Sequence, residues 1–228
     1  MSYANTDGYT EGFYDHCLQN GLSKEVFLSK DNIEKYIAAS VDAYRDYPLF
    51  LHVFGGRYDE KTLGRMMSVD FRSRLGVMVG IASGNEYESI MMIEPPLARK
   101  TGMAQYVKAA NAADYSLIFK PAIYRQEDYE KFALNKRRAY LDEKTWYIYI
   151  FATRKEYQHK GHGKKLMNLM LSFADSTGSR LCLETNLSDN VGMYEHFGFK
   201  IMDSSTYKNA LEHYVMLYTG KKNGADDL

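Results

Sequence analysis

One stretch, Trp146 to Lys165, constrains the fold more than any other part of the chain. Its first half, up to Thr153, is almost wholly apolar, which is typical of a central strand covered on both faces. We expect one face to carry Trp146, Ile148, Ile150 and Ala152, and the other Tyr147, Tyr149, Phe151 and Thr153. After a polar turn, apolar side chains recur at helical spacing from Leu166 to Ala174. The predicted order is strand, glycine-containing turn and helix.

The turn between the strand and the helix has the composition of a phosphate site. Gly161 and Gly163 lack a Cβ atom, so the backbone can approach a ligand closely. The first amides of the following helix would point outward, unpaired, at the positive end of the helix dipole, which favours anions. Basic side chains surround the turn: Arg154, Lys155, Lys160, Lys164 and Lys165. The Walker-type phosphate loop is missing from the sequence, and a GxGxxG motif fails because Leu166 stands at its last glycine.

The turn and a second stretch downstream resemble one family. Gln158-His159-Lys160-Gly161-His162-Gly163 resembles the acyl-CoA pyrophosphate loop of the GNAT superfamily of N-acetyltransferases. The stretch from Leu183 to Phe199 resembles that family's second signature, in which an Asn precedes a short helix bearing a Tyr and ending in Gly-Phe. The resemblance implies that acetyl-CoA is the acyl donor, bound by Phe151, Ala152, Thr153, Gln158, His159, Lys160, Gly161, His162, Gly163, Lys164 and Asn190.

The predicted elements give an α+β fold, and the resemblance implies a mixed, centrally splayed sheet flanked by helices. We expect one acetyltransferase domain over residues 1–228, with an N-terminal extension at 1–23, a helical substrate-side segment at 97–143, an acyl-CoA-binding and catalytic half at 144–218 and a flexible tail at 221–228. Strands are predicted at 25–28, 77–82, 87–93, 146–153, 180–185, 199–202 and 211–218, and helices at 29–44, 59–75, 103–112, 127–140, 164–177 and 190–197. The early order, with Tyr-Pro-Leu-Phe and later Glu-Pro-Pro, resembles the puromycin N-acetyltransferase-like branch of the family.

Charge and cysteine content limit which binding partners and which cellular compartment are expected. Lys and Arg number 29 and Asp and Glu number 29, so no global charge recruits nucleic acid or an anionic membrane. Two cysteines, Cys17 and Cys182, make no disulfide framework and suit a reduced compartment. The first residues are acidic where a signal peptide would be apolar, so a cytoplasmic location is expected. Pairing at an edge formed by Leu211–Tyr218 is the route by which a homodimer could form.

The implied reaction is attack of a neutral amine on the thioester, which gives an amide and coenzyme A. Backbone N–H groups from Phe151 to Thr153 would polarise the carbonyl. Tyr194, at the family's general-acid position, would protonate the departing thiolate. Asn190 would bond the pantetheine or thioester region, or else act as a helix N-cap. Glu184 is the nearest candidate base, unless it pairs with a Lys or faces solvent, and water chains could replace a single base.

Other chemistries are less well supported by the residues. His159, His162 and His196 do not complete a credible metal set, so no metal is expected. The aromatic, methionine-rich segments suit an aromatic or amphipathic small amine better than a polyamine, whose pocket would want an acidic floor. Two alternatives stay open: acetylation of a protein lysine or N-terminus, and a non-catalytic module that senses acyl-CoA. The presence of both Tyr194 and Asn190 favours the enzyme.

Overall fold

The computed structural model describes residues 9–98 and 101–220, so the predicted tail and the first part of the predicted extension lie outside the described residues. The helices are α1 Tyr9–Gln19, α2 Ile33–Ala43, α3 Pro48–Val53, α4 Glu60–Arg74, α5 Met103–Ala109, α6 Pro121–Arg137, α7 His162–Thr177 and α8 Ser188–His196. The strands are β1 Val79–Ser83, β2 Ser89–Glu94, β3 Thr145–Thr153, β4 Arg180–Thr185, β5 Lys200–Tyr207 and β6 Leu211–Tyr218. Short 3-10 helices lie at Lys24–Val26, Asp114–Phe119, Arg138–Tyr140 and Lys155–Tyr157.

The strands form one mixed sheet in the order β1-β2-β3-β4-β6-β5. Only β3 and β4 pair in parallel, from Thr145 with Arg180 to Ile148 with Leu183. Beyond Ile148, β3 continues to Thr153 bonded only to β2 among the described strands. The predicted α+β class and the splay at the centre of the sheet are confirmed.

A β-bulge in β3 coincides with the start of the splay. The antiparallel pairing of β2 and β3 shifts between Met92 and Ile93, whose partners are Ile150 and Ile148. Tyr149 is therefore one extra residue in β3, and such an insertion bends a strand and increases its twist. The bend explains why β3 leaves β4 at this point.

The bulge also overturns the predicted faces of β3. Trp146 and Ile148 lie in the core cluster formed with α1 and α7. Ile150 and Ala152 lie instead in the cluster formed with α2 and α4, on the opposite face of the sheet. The prediction that these four residues share a face is wrong, because the extra residue at Tyr149 reverses the alternation of the strand.

Helix α7 covers one face of the sheet as its apolar spacing predicts. Its buried residues are Leu166, Met167, Leu169, Met170, Phe173 and Ala174. Helix α1 packs beside it through Phe13, which is fully buried against Trp146 and Phe173 at ring distances of 5.4 and 5.1 Å. Burial of each large apolar side chain contributes roughly 1.5–3 kcal/mol, so this face anchors the start of α7 firmly.

Two predicted strands near the chain's beginning and end need correction. The segment from Glu25 to Leu28 forms no strand, because the Asn32 side chain donates to the Glu25 and Phe27 carbonyls at 3.0 and 2.7 Å. Leu211–Tyr218 forms β6 as predicted, but it is not a sheet edge, since β6 lies between β4 and β5. The edge strand on this side is β5.

The helical segment between β2 and β3 is more continuous than predicted. Helix α6 runs from Pro121 to Arg137, whereas the sequence predicts a helix over 127–140. Proline suits the first turn of a helix because its missing N–H would have no partner there. The last residue of α6, Arg137, pairs with Glu184 at 3.0 Å.

Candidate active site

The loop between β3 and α7 presents free backbone amides. Gly161, the residue before α7, has a φ of +87° and open space where a Cβ atom would stand. No side chain of the described residues caps the helix, and the first turn closes with the bond from Lys165 N–H to the Gly161 carbonyl at 3.0 Å. The amides of residues 162–164 therefore point outward, as an anion site requires.

Two aspartates in and just after α2, a serine of β1 and a backbone carbonyl of β3 hold this loop in place. Asp42 accepts a hydrogen bond from the Lys155 N–H at 2.8 Å, and Asp46 pairs with the Lys155 ammonium. The Gln158 side chain donates to the Thr153 carbonyl at 3.3 Å. Ser83 donates to the His162 carbonyl at 3.1 Å. The loop is thus tied to the sheet before any ligand binds.

The other predicted loop residues lie around these amides. His159 has a φ of +61°, a conformation that few side chains adopt. Lys160 stands over the Tyr157 ring, with its ammonium 5.2 Å from the ring centre. Gly163 packs so closely on β3 that an added Cβ would lie 3.0 Å from the Thr153 hydroxyl. Lys164 is exposed on the first turn of α7.

A small cavity of about 50 Å³ lies where β3 and β4 separate. It is lined by Tyr44, Tyr47, Ile148, Tyr149, Phe151, Leu183, Glu184, Asn190 and Tyr194. Four of the predicted site residues therefore meet here: Phe151, Glu184, Asn190 and Tyr194. The structure brings the predicted phosphate loop and the predicted catalytic side chains to opposite ends of the unpaired part of β3.

Tyr194 and Asn190 reach the cavity from helix α8. Tyr194 is 5% exposed, and burial, with a smaller contribution from Tyr47, raises the pKa of its phenol. Asn190 donates to the Thr185 hydroxyl at 3.2 Å. It lies inside α8, which begins at Ser188 after Leu187, so the alternative of Asn190 as the N-cap does not hold.

Glu184 lies at the floor of the cavity among polar groups. Tyr147 donates its hydroxyl proton to Oε2 at 2.6 Å, and Arg137 donates to the same oxygen at 3.0 Å. Within the described residues Oε1 has no hydrogen bond, and it lies 3.4 Å from Nε2 of the fully buried His213. Glu184 is thus paired, with an arginine in place of the lysine that was one of the predicted alternatives.

Sequence reasoning missed a polar cluster beside the cavity. Arg137 stacks on the Tyr147 ring at 4.8 Å, and Arg74 stacks on the Tyr149 ring at 4.3 Å. Tyr149 donates to Asp70 at 2.8 Å, as Tyr147 does to Glu184. The two arginines face four carboxylates, on Asp70, Glu94, Glu130 and Glu184. The members come from α4, β2, α6, β3 and β4, so no local sequence pattern could have assembled them.

The charge balance of this cluster is negative. With every group ionised, its carboxylates outnumber its arginines by two. Burial raises the pKa of Glu130, which lies at the outer part of the cluster, while Arg137 opposes that shift. Such a site attracts cations in preference to anions.

Two further tyrosines that the sequence did not single out line the cavity. Tyr44 ends α2, and Tyr47 precedes the first residue of α3, Pro48. Burial raises the pKa of both phenols, most strongly for Tyr44. The sequence gives little reason to select these two, because the chain contains 20 tyrosines. Only their position shortly before Pro48 distinguishes them from the others.

A larger, open groove of about 540 Å³ lies elsewhere, between α2 and α4 and beside Asn111 and Asp114. The groove touches the predicted substrate-side segment 97–143 at Asn111 and Asp114, and its lining is rich in charged rather than aromatic side chains. It contains none of the predicted site residues. The smaller cavity is the better candidate for chemistry, because it lies at the splay and holds the predicted acid.

The described parts of the chain contain no candidate metal site and no candidate membrane span. Across residues 9–98 and 101–220, no group of three or more His, Cys, Asp or Glu side chains is placed to hold a metal ion. No helix in those ranges has the length and apolar character needed to cross a membrane.

Comparison with known proteins identifies one family. Residues 122–199, about a third of the chain, match the model of the Acetyltransferase (GNAT) family. No curated protein matches the chain by sequence.

Solved structures share the fold at low sequence identity. A Corynebacterium glutamicum protein described as histone acetyltransferase HPA2 and related acetyltransferase has a TM-score of 0.54 and 14% identity, over 88% of this chain and 98% of that chain. Arylalkylamine N-acetyltransferase 2 from Aedes aegypti has a TM-score of 0.52 and 15% identity, over 85% and 97%. The C-terminal condensation domain of Ebony, in complex with beta-alanyl-dopamine, has a TM-score of 0.56 and 8% identity, over 85% and 96%. Residues 122–199 thus resemble the Acetyltransferase (GNAT) family in sequence, and the chain shares its fold with these acetyltransferase structures.

Proposed function

We propose that the protein transfers an acetyl group from acetyl-CoA to a small primary amine, by direct attack of the amine on the thioester. One observation carries the proposal. The unpaired part of β3 has the buried phenol of Tyr194 beside the splay at one end and the uncapped start of α7 at the other. The family match supports the same chemistry.

The acyl donor fits the loop and the unpaired strand. The residues from Gln158 to Lys164 would hold the pyrophosphate, with the amides of the first α7 turn as donors. Backbone groups of Phe151, Ala152 and Thr153 would bind the pantetheine and thioester, because that side of β3 has no partner strand among the described residues. Asn190 would orient the thioester end from α8.

Two side chains would handle the protons. Tyr194 donates its phenolic proton to the thiolate as coenzyme A leaves. Glu184 accepts, directly or through a water, the proton that the ammonium loses before attack, and then passes it to solvent. The nitrogen releases a second proton as the amide forms, and this proton balances the one that Tyr194 gives to the thiolate, so the phenol is restored.

The surroundings of the cavity favour a small ammonium compound as the acceptor. The cavity is lined by four tyrosines, Tyr44, Tyr47, Tyr149 and Tyr194, whose ring faces attract cations. The carboxylate-rich cluster beside it adds a negative field. An aromatic acceptor, the puromycin-like branch, a cytoplasmic location and a homodimer stay predictions.

Binding of acetyl-CoA is the first test. Calorimetric titration of the wild-type chain should give micromolar affinity, and Gly161→Glu should abolish it, because the new side chain puts bulk and negative charge at the free amides. Gly178→Glu is the matched control. Gly178 ends the same helix with a φ of +65° and equally open space, so it carries the same strain and charge away from the loop.

The affinities of the two variants and of the wild type distinguish three explanations. Affinity retained in Gly178→Glu and lost in Gly161→Glu would support the loop as the donor site. Equal loss in both variants would mean that strain in α7, rather than the loop, decides binding. Absence of acetyl-CoA binding to the wild-type chain would reject the proposed function altogether.

A further inference from the structure

The hydroxyl of Tyr47 has its oxygen occupied on both sides. The Asn186 backbone N–H donates to it at 2.9 Å. The Thr185 hydroxyl lies 3.4 Å away on the other side. Asn186 directly follows β4, so Tyr47 is bonded to the end of the strand that separates from β3.

The hydrogen bonds of Thr185 fix which of the two hydroxyls donates. The Thr185 oxygen accepts from the Leu187 N–H at 3.2 Å and from the Asn190 side chain at 3.2 Å. These two bonds use both lone pairs of a hydroxyl oxygen. We therefore infer that Thr185 is the donor in the 3.4 Å contact with the Tyr47 oxygen.

It follows that Tyr47 acts toward the cavity only as a donor. Its oxygen accepts from Asn186 and Thr185, and its own proton has no acceptor among the residues that the structure describes. Tyr47 lines the cavity at the splay together with Tyr194. The Tyr47 proton is therefore available to a group bound in this cavity.

We propose that Tyr47 is a further catalytic residue, which donates a hydrogen bond to the thioester carbonyl oxygen and stabilises the negative charge that develops there. The inference rests on the proposed acetyl transfer. The amine cannot be the partner before attack, because its lone pair must stay free for the carbonyl carbon. No proton leaves Tyr47 in this role, so the proton balance assigned to Tyr194 and Glu184 is unchanged.

The Tyr47 hydroxyl is preorganised, as a donor to a developing negative charge must be. Its two hydrogen bonds hold the phenol in place before the substrate arrives, so little reorganisation is needed during the reaction. The same bonds polarise the O–H, because both donate toward its oxygen. Thr185 and Asn186 lower the pKa of Tyr47, although burial, the larger effect, raises it.

Isotope-edited infrared spectroscopy tests the contact without knowledge of the amine. Acetyl-CoA labelled with ¹³C at the carbonyl is bound to the wild-type chain and to Tyr47→Phe. We expect the carbonyl band at lower frequency in the wild type, because a hydrogen bond weakens the C=O bond. Turnover of 2-phenylethylamine or putrescine, whichever the wild type accepts, should fall by roughly 100-fold in Tyr47→Phe.

Tyr58→Phe is the matched control. It removes a hydroxyl that donates to the Val41 carbonyl at 2.7 Å and lies outside the cavity, so its band and turnover should equal those of the wild type. Incorporation of 3-fluorotyrosine at position 47 keeps the ring and the hydroxyl. It should move the band to still lower frequency, because a more acidic phenol is a stronger donor.

The possible results have different meanings. An unchanged band in Tyr47→Phe, or no further shift with 3-fluorotyrosine, overturns the role of Tyr47 while acetyl transfer stands. No band from bound acetyl-CoA in the wild type overturns the proposed function, and the role of Tyr47 with it. If Tyr47→Phe does not fold, the fluorotyrosine shift decides alone.

Discussion

Two tyrosines at the splay differ in their hydrogen bonds, and this difference separates their proposed roles. The Tyr47 oxygen is held by Asn186 and Thr185, whereas the structure gives the Tyr194 hydroxyl no bond to a described side chain or backbone group. A phenol whose oxygen is free can approach a leaving thiolate and hand over its proton. A phenol held on two sides is better suited to steady hydrogen bonding.

At this scale the proposed acid gives a direct prediction. Tyr194→Phe should lower turnover by roughly 100-fold or more, the usual contribution of a general acid, while acetyl-CoA affinity stays nearly the same. Steady-state kinetics and calorimetry measure the two quantities. Tyr214→Phe, which removes an exposed hydroxyl bonded to Glu212, should change neither. Full activity in Tyr194→Phe would remove Tyr194 from the mechanism.

Among the elements, β3 and α7 set the geometry of the site together. The bulge at Tyr149 turns β3 away from β4 and places Phe151 on the α7 side. Gly163 then lets α7 start directly on the strand, because a Cβ there would lie 3.0 Å from the Thr153 hydroxyl and 3.2 Å from the Phe151 ring. Strand and helix can thus present their free amides side by side.

Paired glycine substitutions test this contact between the elements. Gly192 lies inside α8 with open space around it, so Gly192→Ala should stabilise the protein by up to about 1 kcal/mol through helix propensity. In Gly163→Ala, crowding of the new methyl group against β3 should cancel the stability gained from helix propensity. The same substitution should also weaken acetyl-CoA binding. Urea unfolding and calorimetry provide the two measurements. Equal stabilisation by both substitutions would show that α7 can shift from β3 at little cost.

The whole molecule buries an unusual number of phenols and both of its thiols. Burial raises the pKa of Tyr36, Tyr44, Tyr129, Tyr147, Tyr149 and Tyr194. It also raises the pKa of the Cys17 thiol from 9.0 to about 12. All of these groups keep their protons in the folded chain at pH values where the unfolded chain loses them.

Stability should therefore fall steeply in alkali. Between pH 9 and pH 12 the folded chain binds more protons than the unfolded chain, so the free energy of unfolding decreases as pH rises. Urea unfolding at a series of pH values measures this slope, and tyrosinate absorbance should rise together with unfolding. Cys17→Ala should flatten the slope in part. A free energy of unfolding that stays constant from pH 8 to pH 11 would contradict the assignment of these groups to the core.

The sequence determined the local parts of this protein. The buried strand, the glycine-containing loop, the amphipathic α7 and the β1–β2 hairpin each follow from the order of neighbouring residues. The resemblance of Leu183–Phe199 to the family's second signature pointed to Tyr194 and Asn190, and the short helix after β4 carries both. Local periodicity and turn chemistry act over a few residues, so they can be read from the chain.

Tertiary structure alone decided the details of the site. The bulge at Tyr149 depends on how β2 and β3 fit together, and it reversed the predicted faces of the strand. Glu184 pairs with Arg137 of α6, and Tyr47, which directly precedes α3, bonds to Asn186 after β4. In both pairs the two residues lie far apart along the chain. Such contacts depend on packing between elements, and packing is set by the whole core rather than by any single stretch.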